Sequence, residues 1–389
     1  MHVAFLLPTI DRIGGAERQV LLLAQGLADR NWKVSVIALS GTGGNSAAQL
    51  RSHGIAFCSL RMRKGLADPR GWLLLYRWLR RHQPSILHTH LPHAALMARF
   101  SRLIAPIRVL VETIHSPAIG SLSRRVAYRF SASQTDAIAG VSCAAAEPWL
   151  AARMLNDASL TIIPNGIDLN HWKRDPELRH ATRKNLSLGD EFVWLAIGRL
   201  DPVKDHATLL RAFAKAPGKA RLFIAGTGSL ESALRSQAAL LGIENNVHFL
   251  GFQSDVLSWM QAADGYVLSS RWEGLPMAFL EASACELPAV FTDIPAMREF
   301  FRDRYDRPVI PVGDSDALAT AMNAMMGLPD DERRKLGTAA RELLTRRFSL
   351  ASVLDQWEKA YRLLLAAKPH PTRSGIAASV LRGSTLQLQ

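Results

Sequence analysis

The sequence predicts an α/β protein made of two similar domains. Short apolar strands alternate with helical stretches through residues 3–113, and the same alternation begins again at Phe192. This alternation is typical of a parallel sheet with helices on both faces. With 389 residues, 48% of them hydrophobic, the chain is long enough for two domains that each bury a core. Two such halves predict a cleft between them.

In the first half, short apolar runs indicate strands and amphipathic periods indicate helices. Gly14 and Gly15 fall in the first strand-to-helix connection, where the absence of side chains lets backbone amides approach a ligand. A plain tight turn is the alternative there. The predicted order is strand 3–7, helix 16–30, strand 33–39, strand 55–60, helix 71–83, strand 85–88, helix 91–103 and strand 108–113.

In the second half, apolar strands are predicted at residues 192–197, 221–225, 247–250, 265–269 and 288–291, each followed by a helical pattern. Pro164, Asn165 and Gly166 interrupt the chain before a polar run over residues 170–190, which is the predicted linker. The domains are therefore predicted at residues 1–168 and 169–349. A last helix is expected over residues 350–366, and residues 367–389 are expected to form a flexible tail.

Composition and charge indicate the cellular compartment of the protein and the part of the chain that carries its positive charge. Three cysteines without pairing or metal-ligand spacing favour a reducing cytoplasm over a disulfide framework. The first residues are predicted to form a strand and not a signal peptide, and no window approaches the roughly 18 apolar residues of a membrane span. The net charge is +13, and residues 1–163 hold 19 Lys and Arg against 8 Asp and Glu, a net +11. The positive field belongs to the N-terminal half.

Two carboxylates, Glu273 and Glu281, lie between a predicted strand end and a predicted helix. Pro276 suits the first turn of that helix, since its missing N–H would be unpaired there. Glu273 is then expected in the loop and Glu281 one turn into the helix, while the amides near Gly274 and Leu275 face an anion or a hydroxyl cluster. For two arbitrary glutamates, a turn residue and a solvated helix face are the alternative.

A second loop brings two cations together. Gly198 ends an apolar strand, Arg199 and Lys204 follow it, and an amphipathic helix is predicted to begin near Asp205. A guanidinium and an ammonium held in one loop can neutralise a diphosphate leaving group without a metal. A pair of ordinary surface cations is the alternative, and the nearby pair of glutamates argues against it.

Five motifs together resemble those of the family 4 retaining glycosyltransferases, in the family's order over roughly residues 1–365. Each motif is weak alone, whereas five in order are specific. The resemblance implies the GT-B fold: two facing Rossmann-like domains with an interdomain cleft, the C-terminal one binding a nucleotide-sugar donor and the N-terminal one the acceptor. It also implies that the helix over residues 350–366 packs back on the N-terminal domain. The motifs are Gly14-Gly15-Ala16-Glu17-Arg18, Ile163-Pro164-Asn165-Gly166-Ile167-Asp168, Gly198-Arg199 with Lys204, Ala225-Gly226-Thr227-Gly228, and Glu273 with Glu281.

The resemblance also implies roles for individual residues. His115 occupies the position of a histidine that contacts the donor sugar. Arg199 and Lys204 would stabilise negative charge on the leaving group. Glu273 would hold the donor sugar and Glu281 the ribose hydroxyls, with retention of configuration and either a front-face or a covalent route through Glu273. The rest of the implied donor site is Gly14, Gly15, Gly198, Gly226, Gly228, Phe252, Gly274, Leu275 and Pro276.

His88, His90 and His93 could suggest a metal, but no fourth ligand is evident and Pro92 is predicted to begin a helix between them. An acceptor-facing wall is favoured instead, with His90 as its candidate residue. Asp314-Ser315-Asp316 matches a metal-binding pattern but is better explained as helix capping. We expect no metal and no cofactor, with the nucleoside-diphosphate sugar as co-substrate.

A segment over residues 61–81 combines a basic approach, including Lys64, with a helix that carries Trp72, Tyr76 and Trp78. Such a segment can lie on an anionic leaflet, although a core helix with a solvated basic face is the alternative. A lipid-linked saccharide acceptor would suit this positive half. The hypothesis is a hexosyl- or N-acetylhexosaminyl-transferase of surface polysaccharide biosynthesis, cytoplasmic and peripheral at the inner face of the cytoplasmic membrane.

Two other classes of function were compared with this hypothesis. A nucleotide-sugar epimerase would share the architecture but needs no acceptor, whereas the basic first half favours transfer. A nucleic-acid-binding module would explain the positive charge, yet none of the known sequence patterns of such modules accompanies it, so no nucleic-acid partner is expected. The sugar, the choice of uridine or guanosine diphosphate, the acceptor and the oligomeric state are left open.

Overall fold

The structure is a computed structural model that describes residues 1–11, 13–63, 68–155, 160–216, 220–301 and 309–368. Lys64 and residues 369–389 of the predicted tail therefore lie outside the described residues. The chain divides into two compact units, one of Met1–Gly166 with the residues from Leu350 onward and one of Ile167–Ser349. Each unit has its own parallel sheet, which confirms the predicted α/β class. The predicted boundary after residue 168 is close to this division, and the cleft expected between the units stays a prediction.

The first unit contains, within its described residues, a seven-stranded parallel sheet. Its strands are β1 (His2–Leu7), β2 (Lys33–Ala38), β3 (Ala56–Ser59), β4 (Ile86–His90), β5 (Val109–Ile114), β6 (Ala137–Gly140) and β7 (Leu160–Ile162). They lie in the order β3-β2-β1-β4-β5-β6-β7, so the order reverses between β1 and β4. Open parallel sheets bind ligands outside the carboxyl ends of their strands at such a switch point.

Helices cover both faces of this sheet, as the apolar strands require. The prediction missed three of these helices and the two strands β6 and β7, which are only four and three residues long. The helices are α1 (Gly15–Asp29), α2 (Gly44–Ser52), α3 (Pro69–His82), α4 (Pro92–Ser101), α5 (Leu122–Ser131) and α6 (Cys143–Ala151).

The second unit has a five-stranded parallel sheet among its described residues. Its helices are α7 (Pro176–Asn185), α8 (His206–Phe213), α9 (Glu231–Leu240), α10 (Leu257–Ala262), α11 (Met277–Ala284), α12 (Pro295–Phe300), α13 (Ser315–Gly327) and α14 (Asp330–Phe348). Its strands are β8 (Phe192–Ile197), β9 (Ala220–Ala225), β10 (Val247–Gly251), β11 (Gly265–Leu268) and β12 (Ala289–Phe291). The order β10-β9-β8-β11-β12 places the switch point between β8 and β11.

Helix α7 lies inside the stretch that was predicted as a linker, so that prediction is wrong. Asp175 caps the helix by accepting a 2.9 Å hydrogen bond from the amide of Leu178. The charges that suggested a linker have partners in the fold, because Arg179 and Arg183 form ion pairs of 2.5 and 3.0 Å with Asp264. The polar sequence therefore reflects a half-buried ion-pair network on a helix.

The last helix, α15 (Leu350–Ala367), packs on α1 and completes the core of the first unit. Its side chains Val353, Trp357 and Tyr361 are buried in the same cluster as Leu23 and Leu27 of α1. Ion pairs between the two helices add to this packing. Across the described part of the chain, no helix combines the length and the apolar composition that a bilayer span requires.

Candidate active site

The loops that follow β8 and β11 carry the charged residues predicted for the second unit. Gly198, Arg199 and Lys204 lie between β8 and α8, and Glu273 lies between β11 and α11. Because β8 and β11 pair in parallel, both loops leave the sheet at the same edge. This edge is also the switch point, where sheets of this type bind their ligands.

Lys204 and Glu273 form the ion pair at the centre of this edge. The Lys204 Nζ to Glu273 Oε1 distance is 2.6 Å, and the two side chains are 18% and 13% exposed. The Ser270 hydroxyl also donates to Glu273 Oε1 at 2.6 Å. An ammonium has three donors, so pairing with one carboxylate still lets Lys204 bind a phosphate oxygen. The fold thus holds a cation and an acceptor side by side.

Arg199 lies at the surface of the same loop. Its side chain is 77% exposed and forms a 3.0 Å ion pair with Asp201. Asp201 also accepts hydrogen bonds from the amides of Val203 and Lys204, at 3.1 and 3.2 Å. Asp201, which sequence reasoning left without a role, therefore links the position of Arg199 to the turn that carries Lys204.

Three glycines of the predicted donor site allow neighbouring loops to approach each other. A Cβ atom on Gly198 would lie 2.7 Å from Lys204 Cε, and one on Gly228 would lie 2.2 Å from the carbonyl oxygen of Leu200. Gly226 has φ +144°, and its Cβ would lie 1.9 Å from the carbonyl oxygen of Gly198. The requirement for glycine at Gly226 and Gly228 thus follows from backbone packing, whereas Gly198 faces the Lys204 side chain. Direct contact of these positions with a donor stays a prediction.

The β11–α11 segment places the second carboxylate in the interior. Glu281 lies in α11 and is 5% exposed, so the alternative of a solvated helix face is wrong. Burial raises the pKa of the Tyr266 hydroxyl, and the charges of Glu273 and Glu281 raise this pKa further. Both carboxylates therefore act on the pKa of one buried phenol.

The remaining predicted donor residues flank these loops. Gly274 and Leu275 precede α11. Pro276 is the residue directly before the first turn of this helix, whereas it was predicted to lie within that turn. Phe252 follows β10, and its ring is 67% exposed. An exposed aromatic ring beside the strand ends is suited to stacking on a base, which stays a prediction for Phe252.

Two buried hydroxyl residues support the loop of Glu273 and were not assigned from the sequence. Ser270 and Thr292 are both 0% exposed, and the Thr292 hydroxyl donates to the carbonyl oxygen of Ser270 at 2.6 Å. The Ser269 hydroxyl donates to the carbonyl oxygen of Lys204 at 2.8 Å. The sequence signal that could have identified them is their position directly after apolar strands, because a hydroxyl buried there needs a hydrogen-bond partner.

In the first unit, the two predicted histidines contact each other. His90 Nδ1 lies 2.8 Å from His115 Nε2. His115 is half-buried after β5, and burial lowers its pKa to about 4, so its imidazole is neutral at pH 7. His90 is 1% exposed, because it is the last residue of a strand buried on both faces. The acceptor-facing role predicted for His90 stays a prediction, and its Nδ1 contacts His115.

His88 belongs to the core and not to a metal site. Its Nδ1 lies 2.6 Å from the Tyr361 hydroxyl of α15, and its Nε2 lies 2.7 Å from the Thr113 hydroxyl. Pro92 begins α4, as predicted, and this helix carries His93 away from the strand. Within the described ranges, no group of three or more His, Cys, Asp or Glu side chains is arranged to hold a metal ion.

The glycines of the first loop begin α1. The amide of Gly14 donates to Glu17 Oε2 at 3.0 Å, and Gly15 is the first residue of the helix. Burial raises the pKa of Glu17. A carboxylate of the chain thus accepts from the Gly14 amide that was expected to face a donor, so a phosphate at this amide would have to displace Glu17.

Two other sequence interpretations can be compared with the structure. Asp314 caps α13, since its Oδ1 accepts from the amides of Asp316 and Ala317 at 3.0 and 2.9 Å, and the capping prediction is confirmed. The aromatic residues of α3 belong partly to the core, and the membrane contact expected for residues 61–81 stays a prediction. Trp72 and Trp78 are half-buried and pack, together with Tyr76, against the core cluster under that helix.

Comparisons with known proteins agree with this geometry. The profile described as Glycosyltransferase Family 4 matches residues 13–171, and the one described as Glycosyl transferases group 1 matches residues 179–343. The chain is similar to the UDP-Gal:alpha-D-GlcNAc-diphosphoundecaprenol alpha-1,3-galactosyltransferase of Escherichia coli, 25% identical over 314 residues, 76% of this chain and 80% of that protein. It is also similar to the phosphatidyl-myo-inositol mannosyltransferase of Mycobacterium leprae, 29% identical over 378 residues, 93% and 96% of the two chains.

Solved structures show the same fold. HepE of Anabaena, crystallised with UDP and glucose, has a TM-score of 0.79 to this chain at 21% identity, covering 92% of this chain and 99% of its own. The two matched profiles together span most of both units. The chain is a glycosyltransferase of the GT-B fold and belongs to glycosyltransferase family 4.

Proposed function

We propose that this glycosyltransferase moves a hexosyl or N-acetylhexosaminyl group from a nucleoside-diphosphate sugar to a lipid-linked saccharide, with retention, in surface polysaccharide biosynthesis. The name of the E. coli relative specifies a UDP-sugar donor and a diphosphoundecaprenol-linked acceptor. The name of the M. leprae relative specifies an inositol phospholipid acceptor. Both acceptors are lipids with a phosphate group, which suits the net charge of +11 in residues 1–163.

The pairing of Lys204 with Glu273 is the observation that carries this proposal. In the transfer, the bond from the anomeric carbon to the diphosphate breaks and a bond to the acceptor oxygen forms. The acceptor proton passes to the departing phosphate. Lys204 and Arg199 stabilise the charge that develops on that phosphate, an electrostatic effect that grows in a site with little water.

Glu273 and Glu281 have separate tasks in this proposal. A carboxylate accepts hydrogen bonds from vicinal hydroxyls, so Glu273 holds the sugar and the buried Glu281 holds the ribose. His115 is neutral at pH 7 because burial lowers its pKa to about 4. A neutral imidazole positions a sugar hydroxyl through a hydrogen bond and adds no charge to the site. His90 lies on the acceptor side in this proposal, and its contact with His115 positions that ring.

The proposal needs no metal, no cofactor and no nucleic-acid partner. The two cations replace a metal as the groups that neutralise the diphosphate. Association with the inner face of the cytoplasmic membrane is part of the proposal, because a lipid-linked acceptor is held there. Both curated relatives described above are named transferases, which argues against an epimerase.

A panel of nucleotide sugars tests the donor half of the proposal. One of them is expected to raise the unfolding temperature, since a bound donor stabilises the folded state by mass action. The purified protein is then incubated with that donor, with and without a lipid-diphosphate-linked saccharide, and the anomeric configuration of the product is determined by NMR.

Retained configuration, formed only when acceptor is present, supports the proposal. Isomerised donor without acceptor, or a product of inverted configuration, would overturn it. Lys204→Ala is expected to abolish turnover. Lys215→Ala, a half-exposed lysine in a surface ion pair with Asp316, is the matched control and should leave turnover unchanged.

A further inference from the structure

Helix α5 presents an apolar stripe to solvent. Leu122, Val126 and Phe130 are 77%, 47% and 83% exposed. They are four residues apart, so they share one face of the helix. Three large apolar side chains aligned in this way differ from the single exposed residues that are normal on a protein surface.

The opposite face of α5 is anchored, so the exposure of the stripe is a property of a fixed helix. Tyr128 is 0% exposed, and its hydroxyl donates to Glu112 Oε1 at 2.7 Å. The buried Arg99 donates from Nη1 to the carbonyl oxygen of Tyr128 at 3.2 Å and from Nη2 to Glu112 Oε2 at 2.6 Å. A buried network thus holds the helix and directs its apolar residues outward.

The charge of α5 indicates what covers the stripe. The helix contains Arg124, Arg125 and Arg129 and no acidic residue, and Arg125 and Arg129 are exposed. An apolar face flanked by arginines is the composition of a helix that lies in the interface of an anionic bilayer.

A second copy of this chain is the main competing occupant. In a two-fold symmetric contact the same surface meets itself, so the arginines of one α5 would approach those of the other. Like charges in that position oppose association. Anionic headgroups instead attract each arginine, and the acyl region accepts the apolar stripe, so a lipid surface satisfies both features.

We propose that the α5 surface, formed by Leu122, Val126, Phe130, Arg125 and Arg129, binds this protein to anionic membranes. The inference deepens the proposed function by locating a membrane contact on α5. The inference rests on the proposed function only for which membrane the protein binds. The binding itself is measurable without donor or acceptor, so the two can fail separately.

Sedimentation of the full chain with vesicles tests the proposal. Vesicles of phosphatidylcholine are compared with vesicles that also contain phosphatidylglycerol, and wild type is expected to sediment with the second kind at low salt. Leu122→Glu with Phe130→Glu should weaken this binding about a hundredfold, since each apolar side chain lost from the interface costs about tenfold. Arg125→Gln and Arg129→Gln should each weaken it about fivefold.

Leu240→Glu is the matched control. Leu240 is 88% exposed on α9 of the second unit, and its substitution should leave vesicle binding unchanged. All of the substituted side chains lie on the surface. An unchanged unfolding temperature shows that each variant is folded. Equal binding of wild type and the α5 variants would overturn the proposal, as would absence of wild-type binding. A dimer in analytical ultracentrifugation that the α5 variants dissociate would assign the surface to a second copy.

Discussion

His90 Nδ1 lies 2.8 Å from His115 Nε2, so a buried histidine orients the half-buried histidine that follows β5. We expect His90→Asn to lower kcat about tenfold and to leave the donor KM nearly unchanged, because a misoriented His115 weakens contacts made in the transition state. Steady-state kinetics with varied donor measure both constants. His93→Asn, at an exposed position on α4, is the control. A rise in KM with constant kcat would contradict the positioning role.

Removal of either partner of the Lys204–Glu273 pair leaves a largely buried charge unpaired. Lys204→Met and Glu273→Gln are each expected to reduce the free energy of unfolding by about 2 kcal/mol, less than for a fully buried pair. The double variant should recover part of this loss, since no charge is then left alone. Urea unfolding of the four proteins gives the coupling energy. Strictly additive effects would show that the 2.6 Å contact has no energetic role.

Arg199 should matter for activity and not for folding. Its side chain is 77% exposed, so Arg199→Ala is expected to change the free energy of unfolding by less than about 0.5 kcal/mol. Loss of its charge at the diphosphate should lower kcat/KM about a hundredfold. Arg362→Ala, with a side chain 62% exposed beside Glu358, is the control for an exposed paired arginine. Full activity of the Arg199 variant would refute its assignment to the leaving group.

The glycines of the donor loops are predicted to be intolerant for packing reasons. Gly228→Ala places a methyl group 2.2 Å from the carbonyl oxygen of Leu200, and we expect a loss of at least about 2 kcal/mol in unfolding free energy. Gly327→Ala is the matched control, because no atom lies within 4 Å of its added Cβ. Chemical denaturation measures both. Equal stability of the two variants would contradict the close approach of these loops.

Acid should destabilise the first unit through its buried histidines. Burial lowers the pKa of His115 to about 4 from 6.5 and lowers the pKa values of His88 and His90 well below 6.5. The unfolded chain therefore binds more protons, so stability is full above pH 6.5 and falls as pH drops toward 4. Urea unfolding at about pH 7 and about pH 5 measures the difference. The free energy of unfolding of His115→Asn should differ less between the two pH values than that of wild type. An equal difference in both proteins would contradict this cause.

The sequence predicted the elements that have a strong period or a short-range cause. The bounds of β8 match the prediction, and Asp314 caps α13 as expected. The positions of Lys204 and Glu273 in two loops were also predictable, because strand ends and helix starts surround them. That their side chains touch depends on the pairing of β8 with β11, which no local pattern encodes.

The errors have a common physical origin in tertiary contacts. The charges of α7 suggested a linker, but Arg179 and Arg183 find Asp264 across 80 or more positions of sequence. Trp72 and Trp78 pack partly on the core under α3, while an exposed apolar stripe is on α5, so the membrane contact predicted for residues 61–81 stays a prediction. Sequence composition identifies amphipathic helices, and only the fold shows which face of each is covered.

The contact of Tyr361 with His88 joins residues 273 positions apart. A ribosome makes the chain from its N-terminus, so strands β1 to β7 emerge long before α15 can cover them. Until then the apolar surface that receives Trp357 and Tyr361 is open to chaperones or to aggregation. A premature stop anywhere upstream of Leu350 would therefore damage the first unit, although every strand of its sheet had already been synthesised.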